Sequence, residues 1–142
     1  MIAVSEIGQA VLLASDNGYN VLVGATPSDV KTFSSYAKHP AIYNKQFDST
    51  AAGRYQELFG NWLSYQRKLG LKDFSPLSQD LMAIQQIRET GALPLIEAGH
   101  LLLVIEKIAH LWASLPGAGY GQHENEMSAL FSSYTQAGGT LA

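Results

Sequence analysis

Glu6 is set among apolar neighbours. On a helix running from Met1 to Ala14 its i−4, i−3, i+4 and i+7 positions are Ile2, Ala3, Ala10 and Leu13. A carboxyl group withdrawn from water resists ionisation, and one still protonated near neutral pH is available as a general acid. Protonating the leaving oxygen of a glycosidic bond is chemistry of that kind. A single glutamate on a helix is more often simply solvated, so the stripe alone decides nothing. A second set comprises Arg54, Tyr55, Gln56, Tyr120 and Gln122, at predicted helix starts or in loops. Amides bond hydroxyl and N-acetyl groups, and aromatic rings cover pyranose faces, so the set suits a saccharide. The same residues are also ordinary decoration of helices and loops.

Other chemistries lack their residues. The sequence has no cysteine, hence no disulfide framework, no thiolate metal site and no Cys nucleophile. No G-x-S-x-G elbow occurs. The four histidines, His39, His100, His110 and His123, form no H-E-x-x-H or H-x-H pattern. They read as structural, and no metal and no cofactor are expected. Gly117, Gly119 and Gly121 do not make a dinucleotide fingerprint, because they follow a helix and a proline instead of a strand. They read as a flexible loop, a form that also suits the lip of a binding cleft.

Composition narrows the class further. The 142 residues amount to one domain, and with 46% hydrophobic and 15% charged residues they do not resemble a disordered chain. Nine Lys+Arg against twelve Asp+Glu give a net charge of -3, which disfavours nucleic acid as a partner. The most apolar stretch, Leu101 to Leu115, contains Glu106, Lys107 and His110 and falls short of the ~20 apolar residues of a spanning helix. No membrane insertion is expected, and Met1 to Ala14, with Glu6 and no basic start, does not read as a signal peptide.

The elements that would position these groups follow from periodicity. Val4, Ile7, Val11 and Leu12 predict a helix over Met1 to Ala14, ended by the turn Ser15-Asp16-Asn17-Gly18. Tyr19 to Val23 predicts a strand, Thr26-Pro27-Ser28-Asp29 a short helix to about Tyr36, and Ile42 to Phe47 another strand. Ala51 to Leu69 predicts a long helix with Thr50 as cap and Gly70 as stop. Helices follow from Ser75-Pro76 to Gly91, from Pro94 to Ala98, and from Leu101 to Leu115, the last apolar on nearly every face and so central. Pro116 to Gly121 is a loop, and Glu124 to Ala137 a final helix. The expectation is α+β: a β-rich lobe over about 17–48 and a helical lobe over about 49–142.

Several runs, in order, carry a resemblance. They are Asn17-Gly18-Tyr19-Asn20-Val21-Leu22-Val23-Gly24, Thr50-Ala51-Ala52-Gly53-Arg54-Tyr55-Gln56, Leu69-Gly70-Leu71-Lys72-Asp73-Phe74-Ser75-Pro76, Ser78-Gln79-Asp80 and Gln85-Gln86-Ile87. Gly91-Ala92-Leu93-Pro94, the eleven-residue run from Trp112 to Gln122, and Ala137-Gly138-Gly139-Thr140 complete them. Together they resemble the lambda-type phage endolysins over nearly the whole chain. The resemblance implies a lysozyme-like fold, a small β-containing lobe and a larger helical lobe with a cleft between. It implies a lytic transglycosylase that cuts the MurNAc-β-1,4-GlcNAc bond of peptidoglycan and leaves 1,6-anhydro-MurNAc ends. The family's catalytic acid lies in a Ser-Glu pair on the first helix, a place that Ser5-Glu6 fills. Gln56 and Tyr120 match residues near the scissile sugars, with Asn20, Arg54, Tyr55 and Gln122 as further substrate contacts. Gly117, Gly119 and Gly121 would form one mobile lip and the loop from Lys38 to Ser49 the other.

The sequence departs from the family in places. Ile7 separates Glu6 from Gly8, where the family has Glu-Gly, and the first helix begins closer to the acid. Asn20 stands where the family has Asp, and an amide cannot act as a base. Ala25 to His39 is longer than its counterpart and the region after Pro40 shorter. The resemblance further implies a monomer made in a host cytoplasm, released by a separate membrane-permeabilising partner of the holin kind, and acting on the periplasmic cell wall. A hydrolytic muramidase and a catalytically inert peptidoglycan-binding protein are the alternatives.

Overall fold

Gly8 divides the predicted N-terminal helix in two. The computed structural model, which describes residues 1–142, has α1 (Ile2–Ile7) and α2 (Gln9–Leu13) where one helix was expected. Gly8 lies at φ 83°, ψ 146°, a conformation that residues with a Cβ rarely adopt. The helical backbone is interrupted at this residue. Segments of six and five residues are too short to hold helical form unaided, so tertiary packing must hold both.

The chain gathers into two compact units, Met1–Glu6 with Ile84–Ala142, and Ile7–Ala83. The change of character expected at residues 48 and 49 falls inside the second of these. Its β content consists of isolated bridges: Val21↔Thr32, Leu22↔Ala52, Thr26↔Asp29, Asn44↔Ser49 and Ala52↔Glu57. The expected strands at Tyr19 to Val23 and Ile42 to Phe47 are thus reduced to single paired residues. Residues 20–23 nevertheless run between two neighbours. Leu22 N donates to Lys31 O (2.9 Å) and Phe33 N to Asn20 O (2.9 Å) on one side. On the other, Val23 N donates to Ala51 O (3.0 Å) and Gly53 N to Val21 O (2.8 Å).

Two helices expected in this unit are displaced by such pairing. Thr26 and Asp29 exchange both backbone hydrogen bonds (3.0 and 3.1 Å), and Thr26 Oγ1 accepts the Asp29 N–H as well. The capping signal read at Thr26 is real, but it closes a turn and no helix follows. Likewise Ala52 and Glu57 exchange backbone bonds of 3.1 and 2.9 Å, which folds residues 52–57 into a tight turn. The long helix predicted from Ala51 therefore begins only at Phe59, as α3 (Phe59–Leu69). Its N-cap is Leu58 and not the expected Thr50, whose Oγ1 instead accepts the Phe59 N–H at 3.1 Å from across the turn. Gly70 ends it in left-handed conformation, φ 65° and ψ 30°, as expected. α4 (Pro76–Glu89) follows. Trp62, Phe74, Met82 and Ala52 form the buried cluster, with Leu22, Phe33 and Phe59 packed on it. His39 stacks obliquely on Phe74 with ring centroids 4.6 Å apart.

In the unit of Met1–Glu6 and Ile84–Ala142, α5 (Leu93–Glu97) packs against α6 (Leu101–Ile108). A 3-10 turn, Ala109–Leu111, shortens the helix expected to reach Leu115, and α7 (Met127–Gln136) closes the chain. α6 is not buried all round. Leu101, Val104, Ile105 and Ile108 are buried at helical spacing, whereas Leu102 and Leu103 remain 49% and 46% exposed. Trp112, Leu115 and Leu130 are also buried. No helix is long and apolar enough to cross a membrane.

Candidate active site

Ser5 and Glu6 lie in the last turn of α1, which Ile7 closes before the Gly8 break. In the same unit the chain leaves the 3-10 turn, becomes extended at Trp112 (φ −132°, ψ 117°) and brings Ser114 to the acid. Ser114 Oγ donates to Glu6 Oε1 at 2.5 Å, and Ser114 N–H is directed at the same oxygen at 3.4 Å. Ser5 is buried, and its Oγ lies 2.8 Å from Ser114 Oγ. The two hydrogens of Asn125 Nδ2 are shared among three acceptors, Ser5 O (3.0 Å), Ser5 Oγ (3.0 Å) and Ser114 O (3.1 Å). Burial raises the Glu6 pKa above the usual carboxylate range, and the two Ser114 bonds, which favour the ionised form, oppose it. The environment is not the predicted stripe. Ala3 is buried and Ile2 partly so, but Leu13 is 77% exposed and Ala10 is exposed too, both on α2.

The glycine loop belongs to the same unit and is tied down. Gly117 N–H donates to Glu124 Oε2 at 2.8 Å and Gly119 N–H to Glu124 Oε1 at 3.0 Å. These two bonds hold the Glu124 carboxyl below its ordinary pKa. Tyr120 is 58% exposed, and its hydroxyl donates to His110 O at 2.7 Å. Gln122 is exposed at the end of the loop. The lip read as simply mobile has fixed points at Gly117, Gly119 and Tyr120. Gly121 has φ 71° and no neighbour where a Cβ would stand.

The remaining predicted residues lie in the unit of Ile7–Ala83. The turn at 52–57 presents Arg54, Tyr55 and Gln56 together. Tyr55 and Tyr19 both donate their hydroxyls to Asp80, at 2.7 Å and at 3.0 and 3.1 Å. Burial first, then the Asp80 bond, pushes both phenols above their ordinary pKa. The Arg54 guanidinium lies 5.1 Å from the Tyr19 ring centroid and donates to Asn17 O. Gln79, buried, accepts the Arg54 N–H and donates to Tyr19 O and Phe74 O. Gln56, at φ 51°, turns its own amide back to Gly53 O at 2.9 Å. Asn20 Oδ1 accepts the Asp16 N–H at 3.0 Å, closing the turn read at Ser15 to Gly18.

His39 has the structural role expected of it. Its Nδ1 accepts the Ala41 N–H at 3.1 Å, so the ring is neutral with the proton on Nε2, donated to Glu57 O at 2.9 Å. Burial lowers its pKa accordingly. No three His, Asp or Glu side chains stand together as metal ligands.

The sequence matches the family model described as endolysin over residues 1–141. The chain belongs to the endolysin family. It is 46% identical to the endolysin of Escherichia phage lambda over 129 residues, 89% of this chain and 78% of that one. It is 43% identical to the endolysin of Escherichia phage P2 over 150 aligned residues, 100% of this chain and 91% of that one. Among solved structures it is similar to bacteriophage lambda lysozyme in complex with a chitohexasaccharide, with a TM-score of 0.87 and 43% identity, covering 99% of this chain and 91% of that one. The fold is therefore lysozyme-like. Within the endolysin family framework, Ser5-Glu6 was readable in advance as a motif. Ser114 and Glu124 were not assigned roles, although both lie in or beside the Trp112 to Gln122 run. Asp80, Tyr19 and Tyr55 lie inside matched runs, and only their contacts show Asp80 to be the carboxylate that anchors the two phenols. Asn125 carried no local signal.

Proposed function

We propose that this chain is a peptidoglycan lytic transglycosylase that cleaves the bond between N-acetylmuramic acid and N-acetylglucosamine and leaves 1,6-anhydro ends. The observation that carries this reading is a half-buried Glu6 with a raised pKa, held through one oxygen by Ser114. Protonated, Glu6 gives its proton to the leaving glycosidic oxygen. Ionised by that step, it takes the proton of the muramic acid C6 hydroxyl as this oxygen attacks C1. The glycosidic bond breaks, the C1–O6 bond forms, and the proton returns to Glu6. An internal hydroxyl held beside C1 gains from proximity and needs no carboxylate to position water.

The other polar groups are assigned to the glycan. Arg54, Tyr55, Gln56 and Asn20 offer hydroxyl, amide and guanidinium contacts, Tyr120 an exposed ring and Gln122 an exposed amide. The chitohexasaccharide held by the lambda lysozyme supports a glycan with N-acetylglucosamine units as ligand. Asn20, an amide bound to Asp16 N–H, favours cleavage without a second catalytic carboxylate. Action as a monomer on the periplasmic cell wall, with a holin-type partner to reach it, completes the proposal.

Clearing of chloroform-treated Gram-negative cells tests the acid. Glu6→Gln is expected to lower the rate by about 10²–10⁴-fold while still sedimenting with insoluble peptidoglycan. Lysis by Glu6→Gln at the wild-type rate would overturn the assignment. Binding without lysis by the wild-type protein would overturn the enzyme reading altogether.

A further inference from the structure

Four side chains in one unit form a hydrogen-bond chain whose direction is fixed at its far end. Asn125 Nδ2 faces two backbone carbonyls, Ser5 O and Ser114 O, at 3.0 and 3.1 Å. Carbonyl oxygens only accept, so this end of the amide is the NH₂ group and donates. An amide nitrogen does not accept, so Ser5 Oγ, 3.0 Å from it, is an acceptor there and shares one of its two hydrogens with a carbonyl. Its own hydrogen goes to the nearest remaining acceptor, Ser114 Oγ at 2.8 Å, in preference to Ser114 O at 3.3 Å. Ser114 Oγ, already accepting, sends its hydrogen to Glu6 Oε1 at 2.5 Å. Asn125 is itself held by its backbone N–H on Ser114 O at 2.8 Å.

We propose that Asn125 and Ser5 are positioning residues that act through Ser114, turning its hydroxyl toward the ionised Glu6 carboxylate and taking it back when Glu6 is protonated. This deepens the reading of Glu6 as the acid and rests on it. The reversal is built into the geometry. When Glu6 carries its proton it donates to Ser114 Oγ. The Ser114 hydrogen then swings to Ser5 Oγ, and the Ser5 hydrogen to Ser114 O. Asn125 donates in both states. The chain thus serves a group that must be a proton donor in one half of a cycle and an acceptor in the other, with no water required. Aligned donors of this kind strengthen one another.

No charged side chain accounts for the behaviour of Glu6: burial and the two Ser114 bonds are its causes. Glu124 and Glu126 flank Asn125 in sequence. Glu124 is turned to Gly117 and Gly119, and Glu126 lies exposed at the start of α7.

The test is the pH profile of glycan cleavage on purified peptidoglycan. Activity of an acid catalyst declines as pH rises through its pKa. Ser114→Ala removes a hydrogen bond to the ionised form, so the alkaline limb is expected to move up by about one pH unit. Asn125→Ala should move it in the same direction by less, and adding Asn125→Ala to Ser114→Ala should move it no further. Ser114→Thr, which keeps the hydroxyl, should restore the wild-type limb. A purely structural role would lower the rate without moving the limb. If Asn125→Ala melts as wild type and leaves the limb in place, the proposal is overturned. Should Ser114→Ala fail to fold, Asn125→Ala and Ser114→Thr decide it alone. Failure of the acid reading is distinct: Glu6→Gln would then lyse as wild type whatever the other variants do.

Discussion

At the scale of residues the decisive feature is how one carboxyl is held. Burial raises the Glu6 pKa, so the folded protein binds this proton more tightly than the unfolded chain does. That contribution is full below the unfolded value and is lost as pH rises through the raised folded value. Glu6→Gln removes the dependence. It should melt like wild type near pH 4 and at a higher temperature than wild type at pH 7, while inactive at both; calorimetry over that range checks it. The phenols on Asp80 give a second prediction. Tyr55→Phe removes one of two tyrosine bonds to that carboxylate and should cost about 1–2 kcal/mol of stability in denaturant titrations. The sequence shows Ser5-Glu6 because the two are adjacent and form a motif. It hides Ser114 and Asn125 because their meaning is a contact between residues more than a hundred positions apart.

At the scale of elements, turn and stop signals hold while the helices they suggest are displaced by backbone pairing. Gly70 stops α3 as the sequence predicts, whereas its N-cap is Leu58 and Thr50 reaches only the Phe59 N–H across the intervening turn. The run Ala51 to Leu58 is made of residues that tolerate a helix, but its backbone is claimed by Val21 and by the Ala52–Glu57 pair. Propensity is weak beside such pairing. Gly53 is where this is enforced: at φ 82° a Cβ would collide with the Gln79 carboxamide. Gly53→Ala is therefore expected to destabilise by about 1–3 kcal/mol and to disturb Arg54, whose N–H is bound to that same amide. The glycine loop is the other case. Alternating glycines suggest mobility, and Glu124 restrains it from outside the run. In Glu124→Ala the Gly117 and Gly119 amides should exchange with solvent faster by about tenfold or more. The Glu124 pKa is depressed, so in the wild-type protein this protection should persist above the ordinary carboxylate range and fade as pH falls through the lowered value. Amide exchange followed by mass spectrometry reads both.

At the scale of the whole molecule, composition set limits and the ordered motifs supplied the family. A chain with 15% charged residues, no cysteine and a net charge of -3 is compatible with many folds. The order of the matched runs is not, and the lysozyme-like fold agrees with it. The β-rich lobe was legible only as a tendency. Turn formers and β-branched residues are present from Asn17 to Asp48, but the unit that contains them extends to Ala83 and pairs its segments at single bridges. The division could not be read from sequence because α4 runs through it without a break at Ala83. An acidic chain acting on an acidic cell-wall polymer gains little from long-range attraction. Its cleavage rate should change less than about threefold between low and physiological salt, in contrast with a charge-steered enzyme.

Glu6 is proposed to work with the substrate's own hydroxyl and not with water. Digestion of purified peptidoglycan in water enriched in heavy oxygen, followed by mass spectrometry of the released muropeptides, addresses it directly. Attack by the substrate's hydroxyl is expected to give ends lighter by one water than reducing ends and free of the heavy isotope. Reducing ends carrying heavy oxygen would contradict it and make the enzyme a hydrolase.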